Sequence, residues 1–320
     1  MTEPVTKRQG PAGPVVLLGP QRDGYGEIRE VLDRLEVDGP VALLTAGWQE
    51  NEHEDGALSD AVARPTVNLR LHARSEQVYT EDDALLLATR ERQRHLRHLQ
   101  EFYRIRLDAI DDAARAITVR HVPLELLDEQ RQISVAEMRH LDRDHLERCR
   151  AVHARFEAQW NPGRRPSVAP HREEIDASIG SAAAVVIAGG HVMSLLNRIR
   201  LFGALDRVGT RPVIAWSAGA MVLTERVVLF HDAPPFGKNL AQVVAEGLAV
   251  CPGIVAMPDV VGRVNVEDME GMRRYVQRLM PDQCVALDPG SRVVFREGRI
   301  EEMTTSRLTV EGIVAAGWRP

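Results

Sequence analysis

Four short runs of unbroken apolar sequence, each ending in a turn of small residues, constrain this chain most. They are PVVLL at 14–18 before Gly19-Pro20, VALLTAG at 41–47, AAAVVIAGG at 182–190 and RPVIAWSAGA at 211–220. A strand that is apolar at every position is buried on both faces, and such strands belong to parallel sheets covered by helices on both sides. Between the first two runs, residues 26–36 place Ile28, Val31, Leu32 and Leu35 on one helical face, and Asp38-Gly39-Pro40 then breaks the chain. Strand, helix, strand of this kind predicts an α/β sheet. TVNLRL at 66–71, VVLF at 227–230, GIVAM at 253–257, CVALD at 284–288 and RVVF at 292–295 are further expected strands.

From about Glu81 to Trp160 the pattern changes to charged, glycine-poor sequence with apolar residues at helical spacing. It predicts two or three long helices, broken near Val119–Pro123 and near Ile133. NPGRRPSVAP at 161–170 reads as a linker. The expected division is a disordered lead-in at 1–13, an α/β domain from 14–80 and 171–320, and a helical insertion with its linker at 81–170. The helices mix signs of charge, and the whole chain carries a formal net charge of −6, so nothing calls for nucleic acid. Only Lys7 and Lys238 among the 40 basic residues are lysine, which reads as coding bias. No apolar stretch is long enough to cross a membrane. The N-terminus has no signal-type segment. Cys149, Cys251 and Cys284 have no metal spacing or pairing logic, so no metal, no cofactor and a cytoplasmic setting are expected. His95, His98, His140, His145 and His153 read as surface residues of the helices.

Two strand-to-helix junctions carry chemistry. In Ile214-Ala215-Trp216-Ser217-Ala218-Gly219-Ala220, the serine falls where a buried strand turns into a helix, with small neighbours that let a tight elbow close. Its hydroxyl is either a nucleophile exposed above the sheet edge or a cap on the helix that follows. In Ala188-Gly189-Gly190-His191, two glycines end a buried strand, for close backbone approach to a ligand or simply for a turn of positive φ. The acids in Trp48–Asp55 fall at the same expected edge and read mainly as a polar loop.

Together the two junctions resemble peptidase family S51, which includes cyanophycinase and aspartyl dipeptidase E, within the class I glutamine amidotransferase-like fold. The resemblance covers about Val15–Leu71 and Ile175–Arg299 and leaves out the helical block. Gly247-Leu248 before Pro252-Gly253-Ile254-Val255, and Val285–Asp288, add softer matches. It implies a three-layer α/β fold of mostly parallel strands with helices on both faces, carrying the helical block as an inserted arm. It also implies Ser217 as nucleophile, with the amides of Gly190 and Ala218 as oxyanion donors. Gly189, His191 and Trp216 become substrate-binding positions. The sequence departs from the family at the base: where a histidine follows the G-L…P-G strand, this chain has Asp259. Where the family has its acid, the chain reads Asp288-Pro289, with Pro289 in the acidic position. A serine needs a nearby base to attack. His231, followed by Asp232, and Asp259 are the candidates, with His191 close by. Two functions follow. One is a serine hydrolase acting on a small peptide or amide bond. The other is a catalytically silent relative that binds a ligand or, through its arm, a protein. A homo-oligomer, with the arm as a dimer contact, is expected in either case.

Overall fold

The computed structural model describes residues 11–22, 24–230, 240–263 and 268–314. Residues 1–10 of the expected disordered lead-in lie outside them. The first apolar runs form β1 (Val15–Leu18) and β2 (Val41–Leu44), buried at every position. Between them α1 (Gly26–Arg34) buries Ile28, Val31 and Leu32 as its spacing requires. Then come α2 (Gly56–Val62), β3 (Thr66–Asn68) and α3 (Leu71–Glu81). The third expected strand is thus cut to half its length. Leu69 is drawn into the core and Leu71 opens α3, so its apolar residues are buried by a helix rather than a strand.

Two long helices follow, α4 (Asp83–Thr118) and α5 (Leu124–Trp160), joined by the short link 119–123 and therefore antiparallel. Asp82 caps α4 by accepting from the Leu85 amide, and Arg165 and Ser167 bond the same carboxylate, which holds Asp82 down at about 2. The expected break at Ile133 does not occur. Ser134 turns its hydroxyl back onto the Gln130 carbonyl, a bond that keeps a serine inside a helix. The linker is also more ordered than its composition implies: a 3-10 turn at Pro162–Arg164 leads into α6 (Ala169–Ser181).

The remaining elements are β4 (Ala184–Ile187), α7 (Val192–Phe202), β5 (Val213–Trp216), α8 (Ala218–Leu223), β6 (Arg226–Leu229), β7 (Gln242–Glu246), β8 (Ile254–Pro258), α9 (Val260–Arg263), α10 (Met269–Leu279), β9 (Gln283–Leu287), β10 (Arg292–Arg296), β11 (Arg299–Thr304), β12 (Arg307–Thr309) and β13 (Gly312–Val314). The main sheet runs β11-β10-β1-β5-β4-β2-β3. Strands β1, β5, β4, β2 and β3 are parallel, and β10 and β11 are added antiparallel. Strand alternation divides the core: Val15, Leu17, Leu44 and Ile187 face the cluster that includes α6, α7 and α8, while Val16, Leu18, Leu43 and Val186 face α1 and α2. Strands β8 and β9 do not join this sheet. They pair in parallel within a second sheet, β13-β12-β9-β8, and β6 pairs with β7 alone.

A buried polar network seats the helical pair. Arg278 of α10 holds Asp142 of α5 through two bonds of 2.7 and 2.6 Å and donates to the Ala241 carbonyl at 2.8 Å. The Tyr103 hydroxyl of α4 donates to Asp142 and accepts from the Val243 amide and from Arg278. His145, expected at the surface, is buried against Tyr103 with ring centres 4.3 Å apart. Its place on the inner face of α5 is decided by the partner helix, which local periodicity does not show.

Candidate active site

Because β1, β5, β4 and β2 are parallel, their carboxyl ends share one edge, where α/β folds place their sites. The loops there begin at Gly19, Ser217, Ala188 and Thr45.

Ser217 has φ 49° and ψ −118°. A non-glycine residue held there stores about 1–3 kcal/mol of strain. The residue that caps a helix normally has extended backbone and a side chain bonded to the first turn. His191 meets that description at the start of α7: its backbone is extended and its Nδ1 accepts from the Ser194 amide at 3.1 Å. Ser217 meets neither condition, since its side chain makes no capping bond to α8. Of the two uses that the sequence left open for this hydroxyl, the cap is therefore removed. The elbow is fixed by backbone contacts: the Ser217 amide donates to the Leu18 carbonyl, and its carbonyl accepts from Met221. A Cβ on Gly219 would fall 2.5 Å from the Ile187 carbonyl oxygen, so the turn closes only with glycine there. Ser217 remains half-exposed.

The glycine pair lies directly against the serine. A Cβ on Gly189 would come within 3.1 Å of the Ser217 Cβ, and one on Gly190 within 2.4 Å of the Gly47 carbonyl oxygen. Gly190 also has φ +112°. The His191 amide donates to that same Gly47 carbonyl at 2.7 Å, which pins the loop. Ala218 is the first residue of α8, so its N–H has no acceptor inside the helix. Ser217, Gly189, Gly190 and Ala218 are thus brought together. Trp216 is not open at this edge: its ring is 5% exposed and packs 5.7 Å from that of Tyr25, with its indole nitrogen next to Gly189. It follows the buried strand's alternation into the core.

The candidate bases are differently placed. His191 is exposed, but its Nδ1 lone pair is committed to α7, which leaves the hydrogen on Nε2 as a donor. Asp259 follows β8 with φ +62° and is buried, its amide bonded to the Leu287 carbonyl. Its carboxylate is paired with Arg22, from the loop after β1, and lies 3.7 Å from Arg263. That carboxylate is thus engaged by cations rather than open toward Ser217's side of the edge. Asp288 accepts from the Val261 amide of α9 at 3.3 Å. His231 lies outside the described residues.

Sequence reasoning missed Gln49. Its φ 57° and ψ −123° nearly repeat those of Ser217, and its Nε2 donates to Ser194 Oγ at 2.8 Å. Gln49 thereby braces the first turn of α7, which His191 caps. The signal was the small-residue end of VALLTAG, the same pattern that marked the other two turns. Among the acids nearby, Glu52 is buried and accepts from the His72 and Ala73 amides at the start of α3, with desolvation pushing its carboxyl above the ordinary range. It serves the helix, not the edge. The three cysteines are buried and free. Burial pushes the thiols of Cys149 and Cys284 up to about 11 and about 12. Among the described residues, no group of histidine, cysteine, aspartate and glutamate could hold a metal ion, and no helix is long and apolar enough to cross a membrane.

The sequence model of peptidase family S51 matches residues 135–303, from the middle of α5 to β11. No curated protein matches the chain. Among solved structures, a peptidase from an acI-B1 actinobacterium is similar, with 12% identity and a TM-score of 0.47, over 97% of this chain and 96% of that one. A putative peptidase E protein from Listeria monocytogenes EGD-e is similar with 10% identity and a TM-score of 0.43, over 92% of this chain and 98% of that one.

Proposed function

The chain belongs to peptidase family S51, and from that premise we propose that it is a serine-nucleophile hydrolase acting on a small peptide or amide bond at the Ser217 edge. The observation that carries this reading is the strained, uncapped Ser217, half-exposed beside a glycine pair. Strain at a residue that does nothing for its helix is retained only where the surroundings impose it for another purpose. Ser217 Oγ attacks the carbonyl carbon, the carbonyl oxygen takes the negative charge, and the Gly190 and Ala218 amides donate to it. Collapse breaks the C–N bond and the amine leaves with a proton. Water then hydrolyses the acyl-serine. His191 lies at the same edge, and in this reading its Nε2–H donates to substrate. In this reading the proton acceptor is one of the candidate bases, His231 or Asp259, of which Asp259 is already paired with Arg22.

The second reading, a catalytically silent ligand-binding relative, is favoured by the pairing of Asp259 with two arginines. A fluorophosphonate probe separates the two. The hydrolase labels as wild type and loses the label as Ser217→Ala. Absence of labelling of the wild type from mildly acidic to mildly basic pH overturns the hydrolase and leaves the silent relative.

We read the fold as the three-layer, glutamine amidotransferase-like arrangement, supported by the separate cores on the two faces of the main sheet. In the same reading residues 81–170 are an insertion into an α/β domain of 14–80 and 171–320. Exposed Leu87, Phe102 and Ile105 on α4 support self-association through that arm. The free thiols support a cytoplasmic setting.

A further inference from the structure

A cavity of about 190 Å³ lies where the helical pair meets the α/β body, lined from α3, α4, α5, α7 and β7. It shares no lining residue with the Ser217 edge. Arg200, on its wall, is about 13 Å along α7 from His191, at 1.5 Å per residue.

One guanidinium of this cavity has no bonded carboxylate among the described residues. The Arg92 guanidinium of α4 sits 4.0 Å over the Phe156 ring, makes no ion pair among the described residues, and leaves its Nε buried without an acceptor. Arg200 of α7 donates to the Glu246 and Gly247 carbonyls at 2.7 and 3.3 Å. His153 of α5 is pushed down to about 4, first by burial and then by the charges of Arg200 and Arg92. Two carboxylates share the walls: Glu246, which Arg150 already pairs, and Glu157, which acts on Arg92 from a distance. Tyr79 is the remaining titratable group there. A buried donor without an acceptor is costly, and a bound oxygen would relieve that cost.

We propose that this cavity binds a small oxyanion, the carboxylate or phosphate of a small molecule, between Arg92, His153 and the Asn197 amide. The apolar walls, Phe156 and Leu201, suit the carbon part of such a ligand. This site is independent of the hydrolase reading, because none of its residues takes part in that chemistry.

The test follows the His153 ring by NMR in the full-length protein at low ionic strength. Inorganic phosphate and acetate are titrated separately, with sodium chloride at matched ionic strength as control. Saturable binding by either is expected, with the His153 titration moved upward from about 4, since a bound anion opposes the two guanidiniums. Binding by phosphate alone assigns a phosphate ligand, and by acetate alone a carboxylate ligand. Arg92→Met keeps the stem over Phe156, and Asn197→Asp adds a repelling charge without changing size. Each should weaken binding about tenfold or more. Ser217→Ala should bind like the wild type. The proposal is overturned if chloride reproduces both responses. It is also overturned if Asn197→Asp binds as the wild type does, a variant that keeps the test open should Arg92→Met fail to fold.

Discussion

The Ser217 edge and the seat of the helical pair are held together by opposite means. The edge rests on close approach to glycine: Gly189 under the Ser217 and Trp216 side chains, Gly190 on the Gly47 backbone and Gly219 on the Ile187 backbone, with strain at Ser217 and Gln49. The seat is side chain against side chain, with Arg278, Asp142 and Tyr103 buried and fully bonded. The edge therefore carries backbone strain at a half-exposed serine. The seat depends on every partner being present, because a buried charge that loses its mate is left without solvent or counter-ion.

That contrast can be broken by substitution. Asp142→Ala strands Arg278 and should lower stability by about 3–5 kcal/mol in a denaturant titration. The double change Asp142→Leu with Arg278→Met should recover most of it. If the single change is nearly neutral, the seat is not an interdependent network. Ser217→Gly should act with the opposite sign, raising stability by about 1–3 kcal/mol as the positive φ is relieved, while abolishing probe labelling. A loss of stability would mean that Ser217 is not strained. The smallest effect is expected at Asp82, the cap of α4. Its carboxyl is held at about 2 against the ordinary 3.8, chiefly by Arg165. A depressed folded-state value contributes stability above the unfolded value and loses it as pH falls. Wild type should therefore lose stability between about pH 4 and pH 2 relative to Asp82→Asn, and parallel curves would remove the cap's role.

The same contrast explains what could be read in advance. The sheet strands were legible because burial on both faces leaves unbroken apolar runs, and the edge was legible because tight backbone contacts demand glycine, alanine and serine at fixed places. Ser217, Gly189, Gly190 and Ala218 were singled out in this way, and they lie together at the edge. Gln49 carries the same backbone conformation two residues beyond the small-residue end of VALLTAG, on a polar side chain that reads as loop, and so escaped notice. The seat was invisible because Asp142 and Arg278 are 136 residues apart and each looks like one more surface charge. For the same reason His145 was placed at the surface. The separation of β8 and β9 into their own sheet was equally hidden, because a buried strand reads the same in either sheet. Periodicity also broke α5 at Ile133, where a serine bonded to its own helix lets it continue.

The central claim is that the edge presents Ser217 as a nucleophile with Gly190 and Ala218 as oxyanion donors. A crystal structure of the phosphonate-treated protein tests it most directly. The account predicts phosphorus bonded to Ser217 Oγ, with the phosphoryl oxygen about 2.7–3.1 Å from both the Gly190 and Ala218 amide nitrogens. An unmodified Ser217, or an adduct whose phosphoryl oxygen points to solvent away from both amides, would contradict it.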